Sequence, residues 1–178
     1  MTKVFGRKDL RVVKTRKALK DAMAALLSRG AFKSVTVNDL CAEALMSRAA
    51  FYAHFYDKYD LLEYYLKTVA GECFSAQKDA AECIVGLVTG VQGERIRNIL
   101  ICADAETRDI VNNFIASIVD AASEGGSSAG ASQALLTDFW VGGIIHFIMR
   151  QTAANLSPAG KADFIKLMGY YAELRSAI

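Results

Sequence analysis

Phe51 and Phe55 stand four residues apart within the run from Thr36 to Lys58, TVNDLCAEALMSRAAFYAHFYDK. That spacing puts both rings on one helix face and anchors it to a core. The residues before them set where this helix begins and where the chain turns. Thr36 can cap a first helix, its hydroxyl accepting a backbone N–H of the opening turn. Asp39 follows three residues later, where a carboxylate favours a helix N-terminus. Val37, Leu40, Cys41 and Ala44 recur at helical spacing and give one buried stripe. Leu45-Met46 is the turn and Ser47 the next cap. With the two phenylalanines inward, Arg48, Ala49 and Ala53 face the other way, flanked by Tyr52 and His54. Small residues beside an arginine and two polar-tipped rings suit a helix pressed into a DNA major groove. The small side chains let the backbone approach, and arginine can read guanine or hold a phosphate.

The charge distribution points to the same partner. Formal net charge is only +2, but residues 1–33 carry ten lysines and arginines against two aspartates, leaving +8. The remaining residues carry eleven against seventeen acidic groups, leaving −6. A basic end on an otherwise acidic chain is the footprint expected for a polyanion partner. The 53% hydrophobic content implies a substantial core plus apolar surface for a partner to cover.

No strand pattern competes with the helical periodicity, so the chain is expected to be all-α. Residues 1–9 are expected to be a flexible basic arm, 10–56 a helix-turn-helix domain, and 57–178 a helical dimerisation and effector domain. The first helix is expected from Leu10 or Thr15 to Ser28, with Leu19, Met23, Leu26 and Leu27 inward and Gly30 free to take positive φ after it. A fourth helix starts near Asp57 and continues through Leu61, Leu62, Tyr65, Leu66 and Val69. Further helices are expected near 79–89, 92–102, 104–122, 132–154 and 158–175, with Gly90 and Gly93 punctuating the first pair. Ser123 to Ser132 is a flexible connection, and Ser157 and Pro158 start the last helix. No apolar stretch follows the basic N-terminus as a signal peptide requires, and none is long enough to span a membrane. Four cysteines without C-x-x-C spacing fit reduced thiols in a cytoplasmic protein.

The segment Thr36 to Leu62 resembles the helix-turn-helix of the TetR/AcrR family of transcriptional regulators. The resemblance is carried by Thr36-Val37, Ser47, Phe51-Tyr52-Ala53-His54-Phe55 and Tyr56-Asp57-Lys58-Tyr59-Asp60-Leu61-Leu62, and with the preceding helix covers roughly Arg11 to Leu66. It implies that Arg48 and Tyr52 meet bases. Thr36, Ser47, Tyr52, His54 and Lys58 would hold phosphates, with Ala49 at the groove. Lys58 falls in a first helical turn, where its charge opposes the helix dipole unless a phosphate sits there. The family usually has Gly where Leu45 stands. A non-Gly residue with positive φ costs about 1 kcal/mol, so the turn is expected to differ slightly.

Leu135 to Arg150, LLTDFWVGGIIHFIMR, is the most apolar stretch, and a helix apolar all round must be buried all round. It resembles the penultimate helix of the TetR-like subgroup that includes regulators of dihydroxyacetone kinase genes. That resemblance implies a homodimer interface at Phe139, Trp140, Gly142, Gly143, Ile144 and Phe147. It also implies an effector pocket, for which Phe74, Cys102, Phe114, Met149 and Tyr170 are candidates, or control by a protein co-regulator. The expected partners are a near-palindromic double-stranded operator, a second copy, and a small apolar effector or co-regulator. A membrane is not among them. With only His54 and His146 as histidines, no acid–base or metal constellation assembles, so neither catalysis nor a cofactor is expected. Repression is the usual outcome the resemblance implies; activation, or an interaction module that no longer reads DNA, stay open.

Overall fold

The computed structural model describes residues 7–76, 85–87, 90–121 and 131–150, with residues 166, 167, 169, 170, 173 and 177 of the C-terminal segment. The expected helix at 79–89 (apart from 85–87), the connection up to residue 130, and the start of the last helix at Ser157 and Pro158 lie outside the described residues. So do the bounds of that last helix. Among the described residues no strand occurs. Helix α1 spans Arg7–Leu27 and a 3-10 turn spans Phe32–Ser34. They are followed by α2 (Val37–Glu43), α3 (Arg48–Tyr52) and α4 (Lys58–Ala76). The second half contributes α5 (Gly90–Leu100), α6 (Ala105–Ala121) and α7 (Ala131–Arg150). Helix α1 starts three residues before Leu10, the earlier of its expected starts, since nothing in Arg7-Lys8-Asp9 breaks a helix. Gly90 is the first residue of α5, as a punctuating glycine would be, whereas Gly93 lies inside the helix. Gly30 closes α1 without positive φ, its N–H bonding Leu26 O at 3.1 Å.

The N-terminal core is built from the predicted stripes. Leu19, Met23 and Leu27 of α1 meet Leu40 and Cys41 of α2, Phe51 and Phe55, and Leu61, Leu62 and Tyr65 of α4. Burying such side chains stabilises by roughly 1.5–3 kcal/mol each before entropy is counted. Helix α4 packs on both α1 and α6, so it belongs to both halves. Helix α5 packs on α1, the 3-10 turn, α6 and α7. Its polar side chains cap the end of α1: Asn98 Nδ2 donates to Leu27 O at 2.8 Å and Arg95 Nε to Ser28 Oγ at 2.8 Å. The bond to Leu27 O occupies a carbonyl that a helix C-terminus leaves open. The basic end, the short helices and the C-terminal helices are therefore one packed unit.

Candidate DNA interface

The two short helices are held by their caps. At α2, Thr36 Oγ1 accepts from Asp39 N at 3.2 Å, and Asp39 Oδ2 accepts from Thr36 N at 2.9 Å. This reciprocal pair is a capping box. The Thr36 hydroxyl also donates to Asp39 Oδ2 at 2.6 Å, and this bond is the first cause holding the Asp39 carboxyl below its usual range. At α3, Ser47 Oγ accepts from Ala50 N at 3.2 Å. Between the caps Leu45 takes φ 54°, and Met46 N bonds Cys41 O at 2.9 Å. The left-handed turn that glycine would favour is thus kept with leucine in it, and the expected change of geometry does not occur. Leu45 is 93% exposed, so burial does nothing to offset the strain.

Capping leaves α3 only five residues long, and its orientation rests on its aromatic side. The Phe51 ring lies 6.0 Å from Phe55, which lies 5.4 Å from Tyr64 of α4. With that face buried, Arg48, Ala49, Tyr52 and Ala53 stand in solvent. Arg48 and Tyr52 lie one turn apart: Arg48 Nη2 donates to Tyr52 Oη at 3.4 Å, and the guanidinium sits 5.8 Å from the ring centre. Thr36 and Ser47 are exposed at the two helix starts, and His54 is half-buried beyond α3. The structure therefore brings Thr36, Ser47, Arg48, Ala49, Tyr52 and His54 together around the two caps.

Lys58 is placed differently from its expected role. Its ammonium turns inward and donates to Val35 O at 3.0 Å, Lys33 O at 3.3 Å and Phe32 O at 3.4 Å. It lies 4.7 Å from the Phe32 ring centre and 5.4 Å from that of Tyr59. Burial lowers its pKa, while Asp104 and Asp57 oppose that shift. An ammonium has three donors, and here they are directed at the chain's own carbonyls rather than outward. The dipole conflict expected of a lysine in this turn is met by Asp57, whose Oδ1 accepts from Tyr59 N at 2.8 Å and Asp60 N at 2.9 Å. The adjacent Tyr59 reaches the other half of the molecule. Its hydroxyl donates to Asp104 Oδ2 at 2.7 Å, and Asp104 Oδ1 caps α6 by accepting from Thr107 N at 2.8 Å. The bond to Asp104 is the main cause pushing the Tyr59 hydroxyl up to about 12. Bonds from Thr107, then Tyr59, bring Asp104 down to about 2.

Away from the caps, α7 has two apolar faces. Val141, Ile144 and Ile148 are buried in the chain's own core, so Ile144, expected at the dimer interface, is 2% exposed and packs within the chain. The opposite face carries Leu135, Phe139, Gly142, Gly143, His146 and Met149, all exposed, with Trp140 and Phe147 half-buried beside it. Among the described residues nothing lies within 4 Å of where a Cβ would stand on Gly142 or Gly143. Leu135, His146 and Met149 were missed as surface residues, although their four-three-four-three spacing with Phe139 and Gly142 is visible in the sequence.

Of the five expected pocket residues, Phe114 lines a cavity formed by described residues. This groove of about 390 Å³ between α4 and α6 is also lined by Leu66, Ala70, Ile110 and Asn113. Met149 and Tyr170 are exposed, and Cys102 occupies the turn before α6 with φ 57°. The Phe74 side chain lies outside the described residues. Among the described residues no cluster of His, Cys, Asp and Glu suits a metal, and no helix is long and apolar enough to cross a membrane.

Residues 19–65 match the family described as bacterial regulatory proteins, tetR family. No curated protein matches the chain in sequence. Two solved structures share its fold over nearly their whole lengths. A TetR transcriptional regulator from Streptococcus agalactiae 2603V aligns with TM-score 0.60 at 19% identity, covering 94% of this chain and 97% of its own. The dihydroxyacetone kinase operon activator DhaS aligns with TM-score 0.59 at 14% identity, covering 90% and 97%.

Proposed function

We propose that this chain is a DNA-binding transcriptional regulator of the TetR family, which works as a homodimer on a near-palindromic operator and represses until a small effector releases it; the match of residues 19–65 supports the family. The observation that carries this reading is the solvent-facing side of α3. Two capped helix starts flank Arg48, Ala49 and Tyr52, and Phe51 and Phe55 are turned inward. Arg48 and Tyr52 would meet base edges. Thr36, Ser47 and His54 would hold backbone phosphates, while Lys58 keeps the 3-10 turn and hence the start of α2 in place. Two such helices would enter successive major grooves about 34–36 Å apart. The second copy would cover the exposed face of α7, where Phe139 supplies the ring and Gly142 and Gly143 let a helix approach. The α4–α6 groove would hold the effector. Helix α4 borders both that groove and the 3-10 turn, so a ligand there would move the recognition helices apart or together. A coupling of about 1–3 kcal/mol would change affinity roughly 5–150-fold.

A second reading has a specific support. One of the two structural neighbours is an operon activator. In that reading the same dimer activates transcription, with a protein co-regulator in place of a small ligand. Fluorescence anisotropy with the DNA upstream of the chain's own gene tests the common core. Selective binding, weakened by Arg48→Ala and by Tyr52→Ala, is expected. Binding no tighter than to random DNA, in both variants and wild type, would leave an interaction module that no longer reads DNA.

A further inference from the structure

Arg16 is a cation that the DNA-binding reading leaves without a task. It lies on α1, outside the helix-turn-helix, and its guanidinium carbon sits 5.7 Å from the Phe55 ring centre and 5.6 Å from that of Tyr64. Phe55 is the ring that seats α3 against α4, so Arg16 stands one ring behind the recognition helix. Its neighbours on α1 are neutralised: Lys17 pairs with Asp21 at 2.6 Å and Lys20 with Glu72 at 2.7 Å. Arg16 has no such partner among the described residues. Its Nε is a buried donor with no acceptor, while the side chain as a whole is only half-buried. Two aromatic rings attract a cation and hold its plane. They offer no hydrogen bond, and buried donors are ordinarily satisfied. A charge fixed in this way is uncompensated and has already lost most of its rotamer freedom. Guanidinium groups recognise phosphate through planar paired donors.

We propose that Arg16 binds a phosphate of the DNA backbone flanking the major groove that α3 enters. This rests on the DNA-binding reading. In this role Arg16 carries no sequence information. It fixes how α3 is seated, because the same ring that holds Arg16 holds α3. Lys58 does not supply such a contact, since its donors are engaged with carbonyls of the 3-10 turn.

The test is the salt dependence of binding. Wild type, Arg16→Gln, Arg16→Lys and, as a control, Lys17→Gln are titrated onto duplex DNA between 50 and 200 mM salt. A random-sequence duplex serves alongside the upstream DNA, because phosphate contacts ignore sequence. Each phosphate neutralised contributes about 0.9 to the slope of log affinity against log salt. Arg16→Gln is expected to lower that slope by about 0.9 per bound protomer, on both duplexes. Arg16→Lys should keep the slope with modestly weaker binding, and Lys17→Gln should change neither. Thermal melts accompany the titrations. A weaker affinity with an unchanged slope and a lowered Tm would overturn the proposal, and make Arg16 a brace for Phe55 only. Wild type that binds neither duplex in a salt-dependent way would overturn the DNA-binding reading itself, and this proposal with it.

Discussion

Residues 36–58 and helix α7 are each rich in apolar and small side chains, yet they are built on different logic. In residues 36–58 nearly every role is decided by neighbours within five positions. Thr36 and Asp39 cap each other, Ser47 caps α3, and Phe51 and Phe55 share a face. The outward side of α3 is whatever these local choices leave over. In α7 local chemistry decides little. Both faces are apolar, and the partition between the buried Val141, Ile144 and Ile148 and the exposed Leu135, Phe139 and Met149 is set by the elements that pack across it. One region is specified by its own sequence and therefore presents a defined polar surface. The other is specified by what packs across it, and among the described residues its Leu135, Phe139 and Met149 side stays exposed.

The largest expected effects contrast those two regions directly. Phe51 is fully buried, and Phe51→Ala should destabilise the protomer by about 3–5 kcal/mol and abolish DNA binding. Phe139 is 75% exposed, and Phe139→Asp should change protomer stability by less than about 0.5 kcal/mol. Analytical ultracentrifugation should then find the Phe139 variant monomeric and still folded. If Phe139→Asp unfolds the chain, or leaves a dimer intact, α7 is an ordinary core helix and the contrast fails.

Next in size is Lys58→Met. It removes three charge-assisted donors from the carbonyls of Phe32, Lys33 and Val35 while keeping much of the packing. Hydrogen bonds from a charged group contribute about 1.5–3 kcal/mol where partly buried, and Lys58 is half-buried, so a loss of about 1–2 kcal/mol in urea melts is expected. DNA affinity should fall because the start of α2 is no longer held, with no change in salt slope. A slope lowered by about 0.9 per protomer would return Lys58 to the phosphate role that resemblance assigned it.

The same division explains what could be read before the structure. Caps, the α3 face and the core stripes of α1, α2 and α4 follow from periodicity and short-range chemistry. The inward turn of Lys58 does not, because its acceptors lie more than twenty residues upstream and are backbone atoms, which the sequence does not distinguish. The Tyr59–Asp104 bond spans 45 positions and was invisible for the same reason. Ile144 and Phe139 are both large apolar residues on one helix. Only the placement of α5 and α6 tells which of them faces the core. Of the pocket candidates, Phe114 lines the α4–α6 groove while Met149 and Tyr170 are exposed, and apolar character alone does not separate a cavity wall from a surface.

Leu45→Gly should act the other way and stabilise. Leu45 has φ 54° and no buried contact to lose. Glycine removes the steric cost of about 1–2 kcal/mol, but adds freedom to the unfolded chain, so a net gain of about 0.5–1 kcal/mol is expected in urea melts. Leu45→Ala should give little, since it keeps the Cβ that causes the strain. A destabilised glycine variant would mean that leucine contributes through some contact outside the protomer.

The smallest effect concerns the bond between the halves. Tyr59 holds its proton up to about 12 in the folded chain, from an ordinary value of 10.0. Between those values the unfolded chain loses a proton that the folded one keeps, so stability present below pH 10 falls as pH rises towards 12. Asp104, lowered from 3.8 to about 2, gives the opposite limb: stability present above pH 4 is lost as pH falls towards 2. Both groups are largely solvent-screened, so each limb is shallow. Tyr59→Phe should remove the Tyr59 part of the alkaline limb, and Asp104→Asn should flatten both. Urea midpoints at pH 3, 7, 10 and 11 are compared with wild type. If Tyr59→Phe leaves the alkaline limb unchanged, the hydroxyl is not held by Asp104 in solution. The halves would then be joined only by α4 and by the contacts of α5 with α1 and the 3-10 turn.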